Sequence, residues 1–138
     1  MKSTAILIPA RYGSTRYPGK PLVDLGGTPM IQRVFDTCWN AGFDTYVLTD
    51  DQRIADLVPS NRVYIDKEDY ANGTERCAGS IEARVFDEYD NFINVQGDMP
   101  DVTLDIIKQA MLSLYHCFTI EHCKRFAWKA SAVISSRY

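Results

Sequence analysis

The chain has 138 residues, enough for one domain with its own core, and its 46% hydrophobic and 24% charged residues are ordinary for a globular protein. Fifteen Lys and Arg against 18 Asp and Glu give a net charge of −3 and a pI of about 5.3, which excludes a general nucleic-acid binder with its basic footprint. No apolar stretch approaches the ~20 residues of a membrane helix, and the run near the start is too short for a signal peptide, so a cytoplasmic protein with no membrane partner is expected.

Residues 4–10, TAILIPA, form a short apolar run followed by turn signals, which predicts a buried strand. Residues 9–21, PARYGSTRYPGKP, then place Arg11, Arg16 and Lys20 in one loop without an acid. Gly13 and Gly19 are expected to permit close backbone approach and positive φ, and successive N–H groups form an anion-binding concavity. Arg11 and Arg16 offer forked donors and Lys20 a compact charge, so the loop reads either as a phosphate cradle or as a solvated cationic loop. A P-loop is excluded, because Gly13 and Gly19 enclose five residues instead of four and Pro21 brings no hydroxyl for Mg²⁺.

A helix is predicted over 28–42, with Thr28 as N-cap, Pro29 at the first turn and Gly42 as the stop. Met30, Ile31, Val34, Phe35, Cys38 and Trp39 recur at helical spacing and are assigned to the core. Residues 45–49 read as a strand, 52–58 as a short helix capped by Asp50 or Asp51, and 62–65 as a strand. Residues 73–86 read as a helix with Asn72 and Glu75 as its capping pair. Its first turn offers free N–H donors and the positive end of the helix dipole. Arg76 in that turn opposes the dipole, which points to a purpose other than helix stability. Residues 91–96 read as a strand ending in Gln96, Gly97 and Asp98, and 103–115 as a helix with Leu104, Ile107, Met111 and Leu114 on one face.

Alternating strands and helices with short connections predict an α/β fold, a Rossmann-like, mostly parallel sheet with helices on both faces. Ligands of such sheets bind outside the carboxyl ends of the strands. Those ends are residues 9–20, 49–51, 66–76 and 97–101. Asp98 there is either a Mg²⁺ carboxylate or a plain turn residue, and the facing cationic loop favours the metal. Residues 116–138 carry four Lys and Arg against one Glu, with no clear caps or alternation. They are set apart as a basic tail following a unit at 1–115. The spacing of His116, Cys117, His122 and Cys123 fits no zinc pattern, and Cys38, Cys77, Cys117 and Cys123 are expected as free thiols.

IPARYGSTRYPGKPL, GTPMIQRV, NGTER and NVQGD, in this order, resemble the cytidylyltransferases that activate acidic sugars, above all those acting on 3-deoxy-manno-octulosonate (Kdo). The resemblance covers about residues 3–112. It implies a fold of the nucleotide-diphospho-sugar transferase type. It also implies a reaction in which CTP and Kdo give CMP-Kdo and pyrophosphate with Mg²⁺, for lipopolysaccharide synthesis. By position it places Ala10, Arg11, Ser14, Arg16 and Lys20 at the triphosphate, and Gly73, Thr74 and Arg76 by the base or sugar. Gln96 falls by the ribose or acceptor and Asp98 on Mg²⁺, with Arg16, Lys20 and Asp98 as the catalytic set. Met99 stands where the family usually has an acid. Family members are much longer and homodimeric, and their later half supplies a second metal carboxylate and most acceptor contacts. A nucleotide-binding fragment without turnover, or a relative acting on sialic acid, stays open beside the Kdo reading.

Overall fold

Strand β1 (Thr4–Ala10) occupies the middle of the molecule because it is apolar on both faces. Ile6, Ile8 and Ala10 point to one side, and Ala5 and Leu7 to the other. The computed structural model describes residues 4–13, 17–116 and 130–134. Around β1 stand β2 (Asp44–Thr49), β3 (Val63–Ile65), β4 (Asn91–Val95) and β5 (Ala130–Ile134), all parallel, in the order β3-β2-β1-β4-β5. The chain builds outward from β1 through β2 to β3, then returns to lay β4 on the other side of β1. Neighbouring connections therefore diverge between β1 and β4, and a crevice opens at their carboxyl ends.

Helices α1 (Met30–Asn40), α2 (Gln52–Ala55) and α4 (Leu104–His116) cover one face, through Ile31, Val34, Phe35, Ile54 and Ile107 packed on Ile6, Ile8, Val47, Ile93 and Val95. Each fully buried side chain of this kind contributes about 1.5–3 kcal/mol. Helix α3 (Gly73–Glu82) covers the other face, where Cys77 joins Ala5, Leu7, Leu48, Phe86, Tyr89 and Phe92. Helices thus stand on both faces of the sheet, as the alternating pattern predicts.

Several local expectations are corrected. α1 starts at Met30 with Pro29 as its N-cap, because Pro29 is held in a β-bridge to Asp24 and Thr28 is spent on a turn whose carbonyl accepts from Leu25 N at 2.8 Å. Gly42, at φ 90°, does close that helix. α3 stops at Glu82 instead of 86, because Arg84 takes a left-handed φ of 62° that a helix cannot continue through. Trp39 is not core: it is 44% exposed, stacked on Phe35 and covered by the Arg62 guanidinium at 4.8 Å. Leu104 is likewise exposed, at the first turn of α4. Met99 is buried among the apolar side chains of the α1/α4 face, so it serves the core where an acid would not. Strand β5 pairs with β4 from Asn91↔Ala130 to Val95↔Ile134, inside the segment where the sequence pattern shows no element.

Cys38 and Cys77 are unpaired and buried, and burial pushes both thiols up to about 12. Cys117, His122 and Cys123 lie outside the described residues. No helix among those residues is long and apolar enough to cross a membrane.

Candidate functional site

The crevice between β1 and β4 holds a cleft of about 280 Å³. It gathers Ala10, Arg11, Lys20, Gly73, Arg76, Gln96 and Asp98 from segments far apart in the chain. Thr74 stands just behind the wall, on the second residue of α3. Ser14 and Arg16 lie outside the described residues.

The cationic loop is closed by a hydrogen bond from Gly19 N to Tyr12 O at 2.8 Å and tied to the sheet by Tyr12 N donating to Asp50 Oδ1 at 3.3 Å. Gly19 has φ 73° and lies against the Tyr12 ring, so glycine is required there. Gly13 does not share this role: it has no positive φ, and a Cβ there would meet nothing within 4 Å. After Gly19 the chain enters a 3-10 turn, Lys20–Leu22, with Pro21 buried beneath it. This turn carries Lys20 across the cleft to Asp98, Nζ to Oδ2 at 3.4 Å, with side chains 43% and 50% exposed.

Asp98 follows the tight end of β4. A Cβ on Gly97 would lie 3.0 Å from both Pro9 O and the Ala10 Cβ, so this glycine serves the close approach of two backbones. Of the two acids after β2, Asp51 caps α2, accepting from Arg53 N at 2.8 Å. The Arg53 side chain is the main reason its carboxyl titrates below its usual range.

The opposite wall is the loop from β3 into α3. Asn72 Oδ1 accepts from Glu75 N at 2.9 Å, and Glu75 Oε2 accepts from Ala71 N at 3.1 Å, so the capping pair forms with its return bond displaced by one residue. Arg76 is buried, and Nη1 donates to Asp66 O at 3.0 Å while its guanidinium lies 4.9 Å from the Tyr70 ring centre. Its cost to the helix dipole is therefore offset by bracing this loop. Tyr70 donates its hydroxyl to Asp66 Oδ2 at 2.6 Å. That bond is the main cause that pushes the phenol up to about 12 and draws the carboxyl down. Tyr70 lines the cleft without any hint in the sequence, since one tyrosine in a polar loop carries no periodicity. The spacing of Asp66 and Tyr70, four residues ahead of a capped helix, is the nearest available signal.

The cleft thus offers cations from one wall, a half-exposed carboxylate facing Lys20 and a helix N-terminus opposite. It suits a polyanionic ligand with a polar head group. A half-exposed carboxylate in this setting also fits Mg²⁺, which is commonly held by one or two carboxylates plus substrate phosphates. Among the described residues no group of three or more His, Cys, Asp or Glu could hold a metal by protein ligands alone.

A cytidylyltransferase family model matches residues 5–132. The 3-deoxy-manno-octulosonate cytidylyltransferase of Photobacterium profundum is 44% identical over 110 residues, which are 78% of this chain and 44% of that protein. The enzyme of the same name from Hahella chejuensis is 40% identical over 117 residues, 83% of this chain and 46% of its own. A solved CMP:2-keto-3-deoxy-manno-octonic acid synthetase complexed with CTP matches with a TM-score of 0.75 at 34% identity, over 85% of this chain and 49% of that one. A cytidylyltransferase structure from Leptospira borgpetersenii, at 22% identity and a TM-score of 0.66 over 86% of this chain and 51% of its own, shares the fold. The chain spans less than half the length of these curated relatives.

Proposed function

The chain belongs to the cytidylyltransferase family, and from that premise we propose that its cleft binds CTP and that it serves the transfer of CMP to Kdo with release of pyrophosphate. The observation that carries the reading is the meeting of Lys20 and Asp98 across the mouth of the β1/β4 crevice, with the first turn of α3 opposite. The curated relatives are named for Kdo, which favours that sugar over sialic acid. Lipopolysaccharide synthesis in the cytoplasm is the setting this product implies.

In the reaction the anomeric hydroxyl of the sugar forms a bond to the α-phosphorus of CTP. The bond from that phosphorus to the β-phosphate bridging oxygen breaks, and the hydroxyl proton passes to solvent. Such transfers need positioning and charge neutralisation more than covalent help. The Lys20 ammonium faces the place where charge builds on departing pyrophosphate, and Arg11 adds a second cation at the same wall. Backbone at Ala10 and Gly73 borders the nucleotide. Arg76 acts at one remove, holding the loop that carries Gly73. Asp98 would hold Mg²⁺, which supplies charge neutralisation at the phosphates and acidifies a nearby hydroxyl when bound. Ser14, Arg16 and Thr74 complete the proposed nucleotide set.

Incubation of the purified chain with CTP, Kdo and Mg²⁺ tests the reading by release of pyrophosphate. CTP binding without pyrophosphate release would leave only nucleotide binding without turnover. Absence of both would remove the proposal.

A further inference from the structure

Arg53 is the second residue of the short helix α2, and its side chain is more than half exposed. A long cation at the surface is ordinarily mobile, because ordering it costs rotamer entropy. Here it is fixed from two sides. Arg53 Nε and Nη2 donate to Asp51 Oδ1 and Oδ2 at 3.0 and 2.8 Å, a forked pair that orients the guanidinium. The guanidinium carbon then lies over the Tyr12 ring, 3.6 Å from its centre, within cation–π range.

Tyr12 belongs to the cationic loop, and its other contacts hold that loop shut. A Cβ on Gly19 would stand 3.0 Å from Tyr12 Cε2, and Gly19 N donates to Tyr12 O at 2.8 Å. Tyr12 N donates to Asp50, from the same turn that supplies Asp51. Gly19 leads directly into the turn that carries Lys20. A line of contacts therefore runs from Asp51 through Arg53, Tyr12 and Gly19 to Lys20. Neither Tyr12 nor Arg53 is among the residues lining the cleft, and the Arg53 charge is already paired with Asp51.

We propose that Arg53 is a positioning residue. Stacked on Tyr12, it holds the two arms of the cationic loop together with Lys20 at the cleft, and so preorganises the loop for a triphosphate. The inference rests on the reading of the cleft as the CTP site. Less ordering is then left to be done when the nucleotide binds, which raises its affinity without a direct contact.

Titration calorimetry with CTP and with inorganic tripolyphosphate, both with Mg²⁺, tests it on a double-mutant cycle of Arg53→Ala and Tyr12→Leu. Arg53→Ala should raise the dissociation constant of both ligands by the same factor, roughly two- to fivefold, the worth of one exposed cation–π contact. In the Tyr12→Leu chain the same Arg53→Ala change should have no further effect, whereas in Tyr12→Phe, which keeps the ring, it should persist. Arg53→Lys should behave as Arg53→Ala, because a lysine keeps the charge but loses the planar fork. Unchanged affinity in Arg53→Ala overturns the inference, whatever happens to stability in urea, since Arg53 would then be a structural residue only. An Arg53→Ala effect that survives Tyr12→Leu overturns it too, as does an Arg53→Lys chain that binds like wild type, because charge alone would then suffice. A loss confined to CTP, with tripolyphosphate unaffected, also overturns it. Should Tyr12→Leu not fold, the Arg53→Lys comparison decides by itself. A wild-type chain that binds neither ligand refutes the site reading and removes the inference with it.

Discussion

Lys20→Ala separates function from folding at the centre of the proposed site. The ion pair with Asp98 is 3.4 Å long between side chains about half exposed, and a pair of this kind contributes about 0–1 kcal/mol to stability. The backbone bonds of the turn, Lys20 N to Tyr17 O and Val23 N to Lys20 O, survive the substitution. Folding should therefore weaken by less than about 1 kcal/mol. A bound triphosphate, by contrast, loses a charge-assisted hydrogen bond worth about 1.5–3 kcal/mol. It is also left facing the unpaired carboxylate of Asp98. The dissociation constant for CTP should rise roughly ten- to 150-fold. Titration calorimetry with CTP gives the affinity and urea unfolding gives the stability. A stability loss above about 2 kcal/mol with unchanged CTP affinity would refute the reasoning, because Lys20 would then act as a structural residue.

Further outcomes follow from the same geometry. Asp98→Asn should remove the dependence of CTP affinity on Mg²⁺, and in EDTA it should bind CTP at least as well as wild type, since a like charge has left the cleft; an unaltered Mg²⁺ response contradicts this. Gly97→Ala should cost about 1–3 kcal/mol in urea unfolding, because the added methyl presses on the Pro9 carbonyl and the Ala10 Cβ at 3.0 Å; a neutral result means that the two backbones yield. Asp66 has a folded pKa below its usual 3.8, mainly through the Tyr70 hydroxyl, so its contribution is full above the unfolded value and is lost as pH falls through the folded one. The stability gap between wild type and Tyr70→Phe should accordingly narrow on acidification from pH 7 to pH 3, and a constant gap would show that the bond is not what lowers the carboxyl. Cys38 and Cys77, buried with thiols near 12, should resist a thiol reagent at pH 8 until the chain unfolds; fast labelling of the native chain at either position contradicts their burial.

The parts of the fold legible in sequence are those with a period. The apolar run of β1, the 3.6-residue spacing of Ile31, Val34, Phe35 and Cys38, and the capping pair before α3 each specify local structure by themselves. The switch between β1 and β4 follows from them only through the rule for alternating elements, yet it places Lys20 and Asp98, 78 residues apart, in one cleft. What the sequence hides depends on neighbours without a period. Arg84 ends α3 in a conformation usually given to glycine, and no glycine marks the place. Trp39 follows the helical spacing of its neighbours but stays at the surface under Arg62. The Tyr70–Asp66 bond, and the Asn94–Thr74 bond that ties the NVQGD stretch to the NGTER stretch, pair residues that no local pattern joins, so only three-dimensional contact shows them.

The central claim is that CTP occupies the crevice at the carboxyl ends of β1 and β4. Backbone amide shifts of the isotopically labelled chain, followed by NMR as CTP and Mg²⁺ are added, test it most directly. Saturable shifts should concentrate at Ala10, Arg11, Gly73, Gly97 and Asp98, and leave Asp44 and Tyr89, outside the cleft lining, unchanged. An unshifted spectrum, or shifts centred on Asp44 and Tyr89, would contradict the account.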